Sequence, residues 1–225
     1  MSVYLFIAPH ADDETLGCGG TISKLAEKGE MVYVAIMTNA SLGAPELFSK
    51  ESIEIVRKEA LTAHEILGVN KTLFYDLPAP LLEQYPQYKI SQTISTVISE
   101  LQPDTVFIPH RGDLHKDHEA IFNAALVATR PQNNCPVKKV FSYETLSETE
   151  WGHPFQDSIF VPNYFMTLSE YNLQKKRDAM LAYKTQIKKY PHPRSIQAIE
   201  SLAKIRGATV GVCAAEAFSV IRIIE

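Results

Sequence analysis

An α/β fold with a mostly parallel sheet and helices on both faces is the architecture that the sequence predicts. Three observations support it. Short runs rich in β-branched and aromatic residues alternate with segments of helical periodicity. Glycines punctuate the ends of those helical segments. No linker, internal repeat or low-complexity tract divides the 225 residues, so a single domain is expected.

The elements follow in order. Val3 to Ala8 reads as a strand, and Glu14 to Glu27 as a helix, with Leu16, Ile22, Leu25 and Ala26 near helical spacing before the Gly29 stop. Met31 to Met37 predicts a second strand, Lys50 to Leu67 a long helix ending at Gly68, and Thr72 to Tyr75 a third strand. Ile90 to Leu101 is helical, Thr105 to Pro109 a buried strand, and Lys116 to Ala128 helical again. This alternation is Rossmann-like. Beyond about residue 130 the pattern loosens. Strands are expected near Val140 and Ile159, helices at Ser169 to Lys189 and Ser195 to Ile205, and a final strand at Phe218 to Ile223.

Composition narrows the function classes. The formal net charge is −4 with Lys and Arg spread along the chain, which gives no footprint for nucleic acid or for an anionic membrane surface. A small-molecule partner is expected, and a homo-oligomer is compatible with the composition. Cys18, Cys135 and Cys213 are an odd number at unrelated spacings, the pattern of reduced thiols in a cytoplasmic protein and not of a disulfide framework. The apolar start, Met1 to Ile7, has no basic lead and is too short for a signal core. No segment reaches the roughly 20 apolar residues that a membrane helix needs.

Two acidic clusters carry the chemistry: Pro9-His10-Ala11-Asp12-Asp13-Glu14 and His115-Lys116-Asp117-His118. Both follow predicted parallel strands, where ligand sites of open α/β sheets lie. Together they offer the two His and one Asp of a catalytic zinc site, which keeps a coordination position open for water. Adjacent aspartates diverge along a turning backbone, so of Asp12 and Asp13 one can bind metal while the other serves as general base. Of His115 and His118, one can bind metal and the other stabilise an oxyanion or protonate a leaving amine, with Asp117 able to orient an imidazole. The competing use of every one of these carboxylates is helix capping.

Other residues are weaker candidates. Arg57 sits in a charged helix; His110, Arg111 and Asp113 precede the second cluster; Pro191-His192-Pro193-Arg194-Ser195 reads as punctuation before a helix. His64 and His153 have no sequence companions, and Tyr183 and Tyr190 read as packing residues. Gly17-Cys18-Gly19-Gly20 resembles a dinucleotide loop, but the third glycine of that motif would fall at Ile22, so close packing of a helix on the sheet is the better reading. The rival functions are a metal-dependent phosphoesterase, which uses similar residues to hold paired ions, and a non-catalytic sugar-binding protein.

The two clusters resemble the motifs of the PIG-L/LmbE-like family of zinc-dependent de-N-acetylases, His-Pro-Asp-Asp followed by Glu or Val, and His-x-Asp-His. The likeness extends to Leu16-Gly17-Cys18-Gly19-Gly20-Thr21-Ile22, Arg57-Lys58-Glu59-Ala60, Leu67-Gly68-Val69, Ala182-Tyr183-Lys184-Thr185-Gln186 and Ala215-Glu216-Ala217-Phe218, and so covers nearly the whole chain. The departure is Ala11 where proline is commoner. The resemblance implies one zinc ion per chain held by His10, Asp13 and His118. It further implies Asp12 as general base, His115 as oxyanion or amine partner held by Asp117, and Arg57 near the substrate. The implied reaction is removal of an N-acetyl group from an N-acetylglucosamine-type amino-sugar or conjugate.

Overall fold

The computed structural model describes residues 1–132, 134–155 and 158–225. The chain runs β1 (Val3–Ala8), α1 (Asp13–Glu27), β2 (Met31–Asn39), α2 (Ala40–Gly43), α3 (Lys50–Leu67), β3 (Lys71–Pro78), α4 (Gln87–Leu101), β4 (Thr105–Pro109) and α5 (Lys116–Ala128). It continues through β5 (Lys139–Tyr143), β6 (Tyr164–Thr167), α6 (Glu170–Ala182), α7 (Ile196–Thr209) and β7 (Ala215–Ile223). The strands form one seven-stranded sheet in the order β3-β2-β1-β4-β5-β7-β6. β3 through β5 in that order are mutually parallel, while β7 runs antiparallel to both β5 and β6.

Period-two alternation sorts the core onto the two faces. On β1, Phe6 and Ala8 pack with Leu16, Ile22, Ala60, Leu67 and Met180 on the side of α1, α3 and α6, whereas Leu5 and Ile7 pack with Ile94, Ile98, Ile121 and Ala125 on the side of α4 and α5. Phe6 stacks on Phe107 with ring centroids 4.5 Å apart, and Phe107 stacks in turn on Phe141 at 5.2 Å. Every residue of β4 is buried, as expected of a strand with helices over both faces.

The strand order positions the functional site. After β1 the chain crosses to β2 on one side, and β4 returns on the other, so the space beyond the carboxyl ends of β1 and β4 is the topological switch point. β1 and β4 are hydrogen-bonded neighbours, with Tyr4 opposite Thr105 and Phe6 opposite Phe107. The loops after Ala8 and Pro109 therefore emerge side by side, which the sequence left unresolved.

The later elements depart from expectation. The strand expected near Ile159 lies instead at Tyr164–Thr167, because those residues pair with β7 while Ile159 remains half-exposed. The helix expected to reach Lys189 stops at Ala182, since Tyr183 turns inward to a buried carboxylate. α7 extends to Thr209, and the last strand starts three residues earlier, at Ala215.

Gly17, Gly19 and Gly20 lie inside α1 and form no phosphate loop. A Cβ on Gly17 would stand 2.4 Å from Tyr143 Cδ2, and one on Gly20 2.5 Å from Leu168 Cδ1, so these glycines let α1 approach its neighbours. Against the same helix lies a buried ion pair: Lys176 Nζ donates to Glu216 Oε1 at 2.6 Å and to the Leu16 carbonyl at 2.7 Å. Glu216 also accepts the amides of Gly20 and Thr21. Truncating one partner strands the other charge in the core, so Lys176→Ala is expected to lower unfolding free energy by about 3–5 kcal/mol. Urea denaturation measures this, and a loss under about 1 kcal/mol would contradict the pairing.

Candidate metal centre

The first cluster turns the chain from β1 into α1. Asp12 occupies the N-cap position with φ 113°, a left-handed conformation that a non-glycine residue adopts at a cost, and its side chain makes no capping bond. Helix capping is therefore not what this carboxylate does. Glu14 instead braces the turn. Its Oε2 accepts the Asp12 amide at 3.2 Å, while Oε1 accepts the hydroxyls of Thr15 and Tyr183, both at 2.7 Å. His64 Nε2 completes this buried set at 3.1 Å. His64 and Tyr183, which the sequence offered as an isolated histidine and a packing residue, thus converge on one carboxylate.

Three potential ligand atoms face one point. Asp13 Oδ2 lies 3.3 Å from His10 Nδ1 and 3.2 Å from His118 Nε2. Tetrahedral zinc with Zn–N bonds near 2.05 Å places its ligands about 3.3 Å apart. His118 Nε2 and Asp13 Oδ1 are buried without a hydrogen-bond partner, and an orphaned buried polar atom calls for an ion or a proton. The opposite ring nitrogens are both tied to carboxylates: His10 Nε2 to Asp117 Oδ2 at 3.0 Å, and His118 Nδ1 to Asp113 Oδ2 at 2.7 Å. Such carboxylate partners set the tautomer that leaves Nδ1 of His10 and Nε2 of His118 free to bind a metal.

His10, His115 and Asp117 form a second grouping close enough to hold an ion. Its donors are more heavily committed than those of the first grouping, where Asp13 Oδ2 accepts the His10 amide at 2.8 Å. Asp117 Oδ2 bonds His10 and Oδ1 accepts the Leu82 amide at 3.0 Å, while His115 Nδ1 accepts the Asp117 amide at 3.2 Å. The two groupings also share His10, so among the described residues the arrangement suits one ion.

Asp117 orients an imidazole, and the structure places its carboxylate on His10 where the family resemblance implied His115. Its carboxylate does not hold His115, from which it stands 3.9 Å; it holds His10, and the contact to His115 is made by its backbone N–H. The reason is topological: the turn into α5 brings the Asp117 side chain under the β1 loop.

The charges of the site are strongly perturbed. Burial pushes Asp12 up to about 8, opposed by Arg194 and aided by the neighbouring Asp13 and Glu14. Asp13 is also buried, but His118 and His10 hold it well below the usual carboxylate range. Burial and the charge of His10 push His115 down to about 4, which makes it a neutral imidazole at neutral pH. With Nδ1 accepting a backbone proton, its Nε2 carries hydrogen and can donate.

His10, Asp12 and His115 line a cavity of about 380 Å³ together with Glu148 and Arg194, a volume within the roughly 300–1,000 Å³ of small-molecule sites. The sequence did not single out Glu148 and read the Arg194 segment as punctuation. Arg194 Nη1 stands 3.1 Å from Asp12 Oδ2, and its Nε donates to Ser147 Oγ at 2.7 Å. Arg57 lines the same cavity, with Nη2 on Asp76 Oδ1 at 2.6 Å and its guanidinium over the Phe74 ring. His110 bonds the Ser158 carbonyl, and Asp113 is a buried support for His118 that also accepts the Thr149 hydroxyl at 2.6 Å. His153 stacks on Phe155, away from the cavity lining. Among the described residues, no helix is long and apolar enough to cross a membrane.

Known proteins share this arrangement of fold and sequence. An uncharacterized deacetylase of Escherichia coli K12, YaiS, is 28% identical over 185 residues, covering 80% of this chain and 90% of its own. A probable N-acetyl-alpha-D-glucosaminyl L-malate deacetylase 2 of Bacillus anthracis is 28% identical over 158 residues, 67% of this chain and 70% of its own. Among solved structures, the conserved protein TT1542 of Thermus thermophilus superposes with a TM-score of 0.80 at 27% identity, covering 100% of this chain and 97% of that one. The profile described as PIG-L, GlcNAc-PI de-N-acetylase, matches residues 5–129, which include both acidic clusters and the strands that carry them; the chain belongs to the PIG-L family.

Proposed function

We propose that this protein is a zinc-dependent hydrolase that removes the acetyl group from an N-acetylglucosamine-type amino-sugar or its conjugate. One observation carries the reading: the orphaned Nε2 of His118 and the orphaned Oδ1 of the ligand candidate Asp13 adjoin an aspartate, Asp12, that is spared from capping and lines a cavity. The His-Asp-His donor set suits zinc. His10, Asp13 and His118 would hold the ion, which when bound supplies a Lewis acid that polarises the acetamide carbonyl and acidifies water.

The chain's own groups do the rest. Asp12, in its ionised form, accepts a proton from the attacking water as the water oxygen bonds the carbonyl carbon. The burial that raises its proton affinity makes it a stronger base than a free carboxylate. His115 Nε2–H donates to the carbonyl oxygen as negative charge develops there, a role that a neutral imidazole fills. Arg194, 3.1 Å from Asp12 Oδ2, offsets the charge of the Asp12 carboxylate. The proton held by Asp12 then passes to the amide nitrogen, the C–N bond breaks, and acetate and the free amino-sugar leave.

That the two groupings share His10, and so suit one ion, favours this reading over a phosphoesterase that clamps phosphate between two ions. The test is to supply zinc-loaded protein with N-acetylated amino-sugars and with phosphomonoesters and to measure acetate and phosphate release. Acetate without phosphate is the expected result; phosphate without acetate would replace the proposal with the phosphoesterase reading.

A further inference from the structure

The cavity beside the metal centre is lined by two chemically different sets of residues. One set is polar and belongs to or adjoins the metal centre: His10, Asp12, His115, Glu148 and Arg194. Phe48, Ile53, Ile55, Val56 and Pro80 also line the cavity, with Ser52 and Arg57 from the same helix as the three aliphatic residues. Phe48 and three residues from the first turns of α3 thus contribute an apolar surface, and none of these four belongs to a core cluster. α3 buries Ala60, Ala63, His64 and Leu67 from its second half, whereas its first half contains no buried residue and lines the cavity. Phe48 is 41% and Ile55 49% exposed, and Leu47, next to Phe48 in the chain, is 73% exposed. Apolar side chains kept out of the core and gathered along a ligand cavity mark a binding surface.

The charges lining the cavity exclude one class of ligand for that surface. Its two guanidinium groups are each matched by a carboxylate, Arg57 by Asp76 and Arg194 by Asp12, and Glu148 adds a further acid. An anionic substituent would meet carboxylates and have to break an existing pair to gain a cation.

We infer that the preferred substrate is an N-acetylglucosaminide whose aglycone is uncharged and apolar, seated against Phe48, Ile53 and Val56 while its acetamide lies at the metal centre. This inference rests on the N-deacetylase reading. Contact with that surface contributes binding in ground and transition states alike, so it raises kcat/KM and acts mainly through KM. Each methylene buried there is worth about fourfold.

The experiment compares acetate release by zinc-loaded protein from free N-acetylglucosamine and from its octyl, phenyl and malyl glycosides. The octyl and phenyl glycosides are expected to exceed the free sugar by about tenfold or more in kcat/KM, with the malyl glycoside no better than the free sugar. Ile53→Ser and Val56→Asp are expected to bring the octyl-to-free ratio down to within about threefold of unity. Acetate release that is equal on all four substrates, or fastest on the malyl glycoside, overturns the apolar-aglycone inference and leaves the deacetylase reading standing. Release from none of them overturns both. The wild-type comparison stands even if a variant fails to fold.

Discussion

Asp12→Asn is expected to lower kcat for acetate release by about 10²–10⁴-fold while leaving bound metal unchanged. The amide is isosteric with the carboxylate but cannot accept a proton from water. Asparagine also tolerates positive φ better than most residues, so the turn at φ 113° survives the substitution. An alanine there would add backbone strain to the chemical loss and confuse the two. Metal analysis and steady-state kinetics on one preparation separate base from ligand. Near-normal turnover would move the proton-acceptor role elsewhere, with Glu148 in the same cavity lining the next residue to test.

His118→Ala is expected to abolish metal binding, with a larger loss than its partner variant Asp113→Asn, which should weaken affinity by about 10–100-fold. His118 offers Nε2 toward Asp13 and is steered by the 2.7 Å bond from Nδ1 to Asp113. Asp113→Asn keeps the imidazole but removes the acceptor charge that makes it a strong ligand. Isothermal titration with zinc gives the ranking directly. Equal, unperturbed affinity in both variants would place the ion at the alternative His10, His115 and Asp117 grouping.

What was legible in the sequence follows from how local each signal is. Both acidic clusters are contiguous, so their residue types and strand-end position could be read without any tertiary information. So could the first four strands, whose apolar runs alternate regularly with helices. Roles that depend on pairing across the sheet could not. That Asp117 supports His10 and not His115 is decided by β1 and β4 being neighbours. That Arg194 faces Asp12 depends on a loop 182 residues further along the chain folding back over the first cluster. The glycines of α1 were readable as packing devices because their spacing failed the phosphate-loop pattern. The apolar cavity lining was not, because Phe48 and Val56 carry the same hydrophobic signal whether they meet a core or a ligand. β6 was misplaced because an edge strand of four residues, antiparallel to its one neighbour, owes its position to β7 and not to its own composition.

The central claim is that a single metal ion at His10, Asp13 and His118 is required for amide hydrolysis. Its most direct test is reconstitution: protein stripped of metal by chelation is titrated with zinc while acetate release from an N-acetylglucosaminide is followed. Activity should be absent at the start, rise linearly and level off at one equivalent per chain. A plateau at two equivalents, or full activity in the stripped protein, would contradict it.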